Sequence, residues 1–350
     1  MLLSSEEHAG TRSGPDPLAE FDAIRALVLP AYRYYVEQLA PSVAAVAGYH
    51  AGWLDEFGED VDGPAGKALR PVIAVLAARA AGAPEALAIR AAVACEMIHD
   101  FSLLHDDVID GDRQRRHRPA VWVVFGTHAA ILAGDGLLTA AMRLIAEIGG
   151  GHGDRAVARL LSTVQELVRG QVRDVAFERQ GSVTPDEYAD MAQGKTAALL
   201  SCASSLGPLL AGAPDAVTGE LAAFGFHLGM AFQFVDDLLG IWGSPTEIGK
   251  PVLADIHRRK KTAPVLAALN SDGTDARRLA ELYGRRRALT EDEAAEAAHL
   301  IERCGGKRWA EAEAARHTES ALTHLHRAEA APEPIEALSS LARHITRRNR

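Results

Sequence analysis

Residues 101–119 read FSLLHDDVIDGDRQRRHRP. Apolar residues lead into Asp106, Asp107 and Asp110, Asp112 lies beyond, and Arg113, Arg115, Arg116 and Arg118 follow. Such a block is either a solvated helix face that pairs its own charges or a site that holds a metal and a polyanion together. On a helix, residues four apart share a face. Asp106 and Asp110 therefore point the same way, His99 lies further back nearly on the same line, and Asp107 sits at the edge of that face. Two carboxylates aimed in one direction suit Mg2+, a hard cation that takes oxygen ligands and keeps waters and substrate phosphate around it. The preceding MIHDFSLL (97–104) is mostly apolar, and carboxylates emerging from a buried stretch are costly unless paired.

The helical period extends outward in both directions. Residues 17–40 and 69–82 repeat apolar positions at three- and four-residue spacing, and 84–110 opens with Pro and Glu at a first turn. Further helices are predicted near 127–147, 154–178, 185–212, 216–242, 261–270, 275–285, 291–303, 307–327 and 333–346, separated by Gly, Pro, Asn or Asp clusters. No alternating strand pattern stands out. Abundant Ala and Leu with only 5% aromatics favour helices over strands. The expectation is all-α: a single-domain helical bundle around a deep central cavity, spanning 19–350 after a polar mobile tail over 1–18.

Charge and cysteines exclude several classes. A net charge of -10 argues against a nucleic-acid binder, so phosphate binding falls to local Arg and Lys clusters. Cys95, Cys202 and Cys304 are far apart, odd in number and without CxxC spacing, which suits a reducing cytoplasm and offers no zinc site. The N-terminus lacks a signal pattern. The longest uncharged run, from Thr196 to Pro214, is broken by Ser, Gly and Pro and reads as a buried core helix rather than a membrane span.

A second carboxylate pair, Asp236 and Asp237, lies inside the apolar FGFHLGMAFQFVDDLLGIWG (224–243), with Gln233 three residues before Asp236. Facing the first cluster, this pair would clamp several Mg2+ ions around one diphosphate. Basic residues are scattered around these helices. Lys67 and Arg70 lie in GKALRP, Lys195 and Thr196 in MAQGKTAALL, Lys250 in EIGKPV, and Lys260 and Lys261 in RRKKT. GKT is not a Walker A loop here, because the upstream Gly and strand are missing. Together the basic groups suffice to neutralise two diphosphates, Arg by bidentate contact and Lys as a point charge.

This constellation resembles the trans-isoprenyl diphosphate synthases, or polyprenyl synthetases, over roughly residues 20–348. GKALRP is similar to the family's GGKxxRP, with Ala65 in place of the first Gly. LLHDDVIDGDRQRRHRP resembles the first aspartate-rich motif, GQVRD (170–174) and GKT (194–196) also match, FQFVDD is similar to the second aspartate-rich motif, and GKPVLADIHRRKKT resembles the lysine-bearing loop after it. Two departures stand out: Gly240 occupies the last place of the second DDxxD, and His117 stands where many relatives have Gly.

The resemblance implies a fold of the isoprenoid synthase type and a set of roles. Lys67, Arg70, His99 and Arg116 are expected to bind isopentenyl diphosphate. Asp106, Asp110 and Asp236 are expected to ligate Mg2+, three ions per active site, with Asp107 and Asp237 supporting. Arg115, Lys195, Lys250 and Lys260 are expected to hold the allylic diphosphate, with Thr196 and Gln233 near its first carbons. The implied reaction ionises an allylic diphosphate in a dry cavity, adds isopentenyl diphosphate head-to-tail, and loses a proton to the released diphosphate. Thr196 and Gln233 would stabilise the cation by their dipoles.

Product length is expected to follow from the residues below Asp106. One helical turn rises about 5.4 Å, close to the length an isoprene unit adds. Phe101, five residues before Asp106, is the bulky floor, while Ser102, four before, leaves room. An aromatic there with a small neighbour and no insertion in the motif resembles synthases that stop at C20, so geranylgeranyl diphosphate is the expected product and farnesyl diphosphate the alternative. Two rivals remain. A terpene cyclase on the same fold has little use for Lys67, Arg70, His99 and Arg116, although Gly240 is compatible with it. A non-catalytic partner subunit would be expected to lack one aspartate cluster. Apolar helices beyond those lining one cavity suggest a buried partner face, and the resemblance implies a homodimer.

Overall fold

The structure, a computed structural model, describes residues 17–61, 63, 68–243, 253–285 and 287–346. Of the sequence-predicted positions, the tail up to residue 16, Lys67 and Lys250 lie outside the described residues. The chain forms α1 (Pro17–Glu37), α2 (Pro41–Ala51), α3 (Leu69–Ala80) and α4 (Glu85–Ile109). A two-residue ribbon follows, β1 (Gln114–Arg115) and β2 (Arg118–Pro119), then α5 (Val121–Val124), α6 (Thr127–Ala146) and α7 (Gly150–Arg179). Next come α8 (Pro185–Ala192), a π-helical turn (Gln193–Ala197), α9 (Ala198–Leu210) and α10 (Asp215–Trp242). The remainder is α11 (Ala254–His257), α12 (Ala263–Leu269), α13 (Thr274–Tyr283), α14 (Glu291–Arg303), α15 (Gly306–Arg327) and α16 (Pro332–Thr346).

Local chemistry fixes many of these boundaries. Thr184 and Thr290 each close a capping box with the Glu three residues on, satisfying backbone donors that a helix start leaves open. Pro41 and Pro185 sit in first turns, where a missing N–H costs nothing. Small residues let the central helices approach closely. Ala88, Ala91, Ala92 and Cys95 of α4 are fully buried, and α4 packs on α3, α6 and α9. Helix α9 is buried along its length, and α10 lies between it and α15.

Helix α6 is long and apolar enough to cross a membrane by length and composition. Its Ala130, Ala133, Leu137 and Ala141 are instead buried in the bundle core, in line with α6 packing along α4. The helical expectation holds, with two local differences. The run predicted as one helix over 185–212 is interrupted by the π turn. The segment after Asp112, where no strand was expected, pairs as a hairpin with Arg115 opposite Arg118. Its turn residues Arg116 and His117 adopt φ of 51° and 63°, the left-handed region that two-residue hairpins demand and that glycine adopts most easily. The departure at His117 thus falls on a position whose backbone is costly for a side chain.

Candidate active site

Two long helices carry the acidic residues. On α4, Asp106 is half-buried, and Asp110 caps the helix with its N–H on the Asp106 carbonyl at 2.8 Å. Burial pushes the Asp106 carboxyl up to about 6; Asp110 and Asp174 add to the rise, against Lys195 and Arg115. Burial likewise raises Asp110. Carboxylates held together with poor solvation are short of positive charge, which is the condition a divalent cation relieves. Asp107 faces elsewhere. It is buried and accepts from Arg115, Nε to Oδ1 at 3.0 Å, so it anchors the ribbon and fixes the direction of that guanidinium.

On α10 the two aspartates divide in the same way. Asp236 is exposed, whereas Asp237 is buried. Asp237 accepts from Tyr188 Oη at 2.6 Å, from the Ala263 N–H at 2.7 Å and from Gln233 Nε2 at 2.9 Å. Gln233 in turn accepts from Thr196 Oγ1 at 2.5 Å. Burial raises Asp237 to about 6 against the pull of Lys260 and these hydrogen bonds. Asp237 is therefore a buried hub that orients Gln233 and Thr196, and Asp236 is the member of the pair that faces outward.

The π turn packs on α7 and α10. Gly170 of α7 and Gly194 cross so closely that a Cβ on Gly170 would lie 2.2 Å from the Lys195 nitrogen, and one on Gly194 2.6 Å from the Glu166 carbonyl. This crossing gives the GQVRD and GKT motifs a shared physical cause: it brings Asp174 and Lys195 together as an ion pair of 2.5 Å. Lys195, Gln233, Asp237 and Lys260 line one cavity of about 20 Å³ with Asp174 and Tyr188, water-sized in this state. Desolvation works against the Lys260 ammonium, but Asp174, Asp255, Asp237 and Asp236 outweigh it and raise its pKa. Lys260 also lowers Asp110. The two acidic helices thus communicate electrostatically across these lysines.

A second basic centre lies further along α4. Arg70 Nη1 is 3.0 Å from His99 Nε2, and burial, followed by the Arg70 charge, pushes His99 well below its usual range. Arg116 reaches Asp100 at 3.5 Å. Asp100 also accepts from Tyr32 Oη at 2.6 Å and faces His50 at 3.3 Å. Sequence reasoning missed Asp100, Tyr32, His50, Asp174 as the Lys195 partner, and Tyr188. An Asp inside an apolar helix signals a partner, but not which one.

Phe101 is 8% exposed and meets His105 edge-on with ring centroids 4.8 Å apart. Its ring closes on Gly134 of α6, so it fills the α4–α6 seam. Ser102 donates to the His99 carbonyl at 2.7 Å. Among the described residues no three His, Cys, Asp or Glu side chains converge enough to hold an ion by themselves. Mg2+ accepts such a site, because it keeps waters and takes one or two carboxylates plus substrate phosphate.

Comparison with known proteins places this geometry. The sequence profile described as Polyprenyl synthetase matches residues 51–301. A (2E,6E)-farnesyl diphosphate synthase of Mycobacterium tuberculosis H37Rv is 44% identical over 326 residues, 92% of this chain and 90% of that protein. A geranylgeranyl diphosphate synthase of the same strain is 42% identical over 328 residues, 92% of each. The crystal structure of a polyprenyl synthetase from Streptomyces coelicolor A3(2) superposes with a TM-score of 0.90 at 41% identity, covering 94% of this chain and 99% of that one.

Proposed function

The chain belongs to the polyprenyl synthetase family and is a trans-prenyltransferase, and from that premise we propose that it is a geranylgeranyl diphosphate synthase whose site residues act as follows. Asp106, Asp110 and Asp236 would hold Mg2+, three ions in all, with Asp107 fixing Arg115 and Asp237 fixing Gln233. Bound there, Mg2+ supplies positive charge against the diphosphates. Lys195, Lys250, Lys260 and Arg115 grip the allylic diphosphate, so that its C1–O bond breaks with the electron pair left on oxygen. Lys67, Arg70, His99 and Arg116 hold isopentenyl diphosphate, whose double bond forms the new C–C bond to C1. The proton then lost from its C2 passes to the departing diphosphate. The Thr196 hydroxyl donates to Gln233, which leaves its lone pairs to face the allylic cation.

The observation that carries the C20 reading is Phe101. It is buried in the α4–α6 seam below Asp106, beside the small Ser102, where a growing tail would meet it. Incubation with labelled isopentenyl diphosphate, each allylic primer and Mg2+, followed by chromatography, tests it. A C20 product is expected. A C15 product overturns the length, and a cyclic product or none overturns the assigned reaction.

We further propose a homodimer and a cytoplasmic location. Leu161, Val168 and Val172 of α7 are 51%, 52% and 64% exposed, and Leu132 of α6 is 61% exposed. Beside them Leu138, Met142, Leu161 and Val164 line an open apolar groove. A second copy of the chain is the occupant this surface suits, and sedimentation at about twice the chain mass is the expected result. Three free cysteines fit a reducing compartment.

A further inference from the structure

The seam between α10 and α15 holds a row of rings that the assigned reaction does not use. His227 of α10 and His317 of α15 face each other with their Nδ1 atoms 2.9 Å apart. His317 is buried and His227 partly buried. A hydrogen bond between two imidazole nitrogens needs one donor and one acceptor. Arg316 decides which is which. Its Nη2 lies 2.9 Å from His317 Nε2 and donates its other hydrogen to Glu313 Oε2 at 2.6 Å. A guanidinium only donates, so His317 Nε2 accepts and carries no proton. The His317 proton is therefore on Nδ1, donated to His227 Nδ1, and His227 carries its own on Nε2. Neither ring can take a second proton without loss. On His317 it would go to Nε2, against the Arg316 charge, and on His227 to Nδ1, against the His317 N–H. The groups around the pair act in the same sense. His324 of α15 stacks on His227 with ring centroids 5.3 Å apart and meets Glu220 of α10 at 2.7 Å. Burial, then His324 and Arg316, lower His227. Burial, then Arg316 and His227, lower His317 from 6.5 to about 4, with Glu313 working the other way.

We propose that Arg316 makes the His227–His317 pair an acid-sensitive joint between α10 and α15, which opens on protonation and disturbs the surroundings of Asp237. The route to Asp237 is contiguous. The His317 ring stacks on Phe234 of α10 with centroids 5.9 Å apart, and Trp309 of α15 meets the same Phe234 edge-on at 5.7 Å. Phe234 lies 5.8 Å from Tyr188 of α8, which donates to Asp237 at 2.6 Å. Asp237 in turn orients Gln233 and, through it, Thr196. The sign follows from the depressed imidazoles. The unfolded chain binds more protons than the folded one below about pH 6.5, so the joint is at full strength above that value and is lost as pH falls toward 4. Without Arg316, His317 Nε2 could take a proton while Nδ1–H still donates to His227, and the pair would survive charging.

The test uses the full-length protein, melted between about pH 7.5 and about pH 4.5, with each variant read as its difference from wild type so that other groups titrating in this window cancel. Arg316→Met is expected to melt near wild type at the upper end and to gain on it as pH falls. His317→Phe keeps a ring on Phe234 but loses the bond to His227, so it starts with a deficit that is expected to shrink on acidification. Adding Arg316→Met to His317→Phe is expected to add no further pH dependence, because the two act through one joint. His326→Gln changes an exposed histidine of the same helix that bonds only its own helix's Leu322 carbonyl, and is expected to run parallel to wild type. Profiles parallel to wild type in both Arg316→Met and His317→Phe overturn the joint, as does a His326→Gln profile that moves as far as theirs. Initial rates of prenyl transfer over the same range test the link to Asp237. The acid loss of turnover is expected to begin at lower pH in Arg316→Met and to reverse on return to neutral pH. An acid limb of turnover unchanged in Arg316→Met overturns the link.

Discussion

Lys195 Nζ lies 2.5 Å from Asp174 Oδ2, and this pair sits where α7 and the π turn cross. Asp174 therefore holds a cation ready beside Asp106, whose carboxyl the same lysine pulls down. Removing Lys195 leaves Asp174, Asp106 and Asp110 as like charges around one space. Breaking a buried pair costs about 3–5 kcal/mol; this pair keeps some solvent, so Lys195→Met is expected to cost roughly 1–3 kcal/mol in urea unfolding without ligands. Turnover is expected to fall about 100-fold, the scale for removing one group that stabilises transition-state charge. Unchanged stability and turnover would remove Lys195 from the site.

The two basic centres predict separable kinetics. Arg70 sits with His99, whereas Lys260 lies among Asp174, Asp236 and Asp237. Arg70→Ala is expected to raise KM for isopentenyl diphosphate more than KM for the primer, and Lys260→Ala to do the reverse. Initial-rate grids over both substrates decide it. Equal effects of both variants on both substrates would merge the two sites into one.

Glu96 sets a pH dependence of stability. Burial, with Asp100 beside it, raises its carboxyl from 4.5 to about 7, against Arg70 and Arg116. The folded state then binds more protons than the unfolded chain between those values, so stability falls as pH rises through that window. A tenfold change in proton affinity is worth about 1.4 kcal/mol. Glu96→Gln removes the loss. Its melting temperature relative to wild type is expected to climb from about pH 5 to about pH 8. A pH-independent difference would refute a buried, proton-binding Glu96.

Helices and motifs were legible in the sequence because both are local. Apolar spacing locates α4 and α10, and four-residue spacing separates the outward carboxylates from their inward neighbours. What Asp107 and Asp237 each hold was not legible. Asp107 and Asp237 look like Asp106 and Asp236 in the chain, but they meet Arg115 on the ribbon and Tyr188 on α8. The π turn escaped notice because its cause is a glycine crossing between Gly170 and Gly194, which no periodicity records. Asp100 finds Tyr32 on α1, 68 residues away, and only the folded chain brings them together.

Product length offers the sharpest test at the α4–α6 seam. On the proposed C20 reading the tail, held at the aspartates, would extend along α4 toward Phe101, and each added unit is about as long as one helical turn. Phe101 stands edge-on against His105, and both rings lie beside Gly134 of α6. Phe101→Ala removes the ring and leaves a void that the tail can enter. Products are expected to lengthen to C25 or beyond, with a stability cost of about 3–5 kcal/mol for truncating a buried Phe. Ser102 is partly buried one turn before Asp106. Ser102→Phe puts a second ring nearer the aspartates, and its products are expected to shorten toward C15. Chromatography of dephosphorylated products from both variants reads the two shifts together. Wild-type distributions from both would show that a residue on another helix, not Phe101, stops the chain.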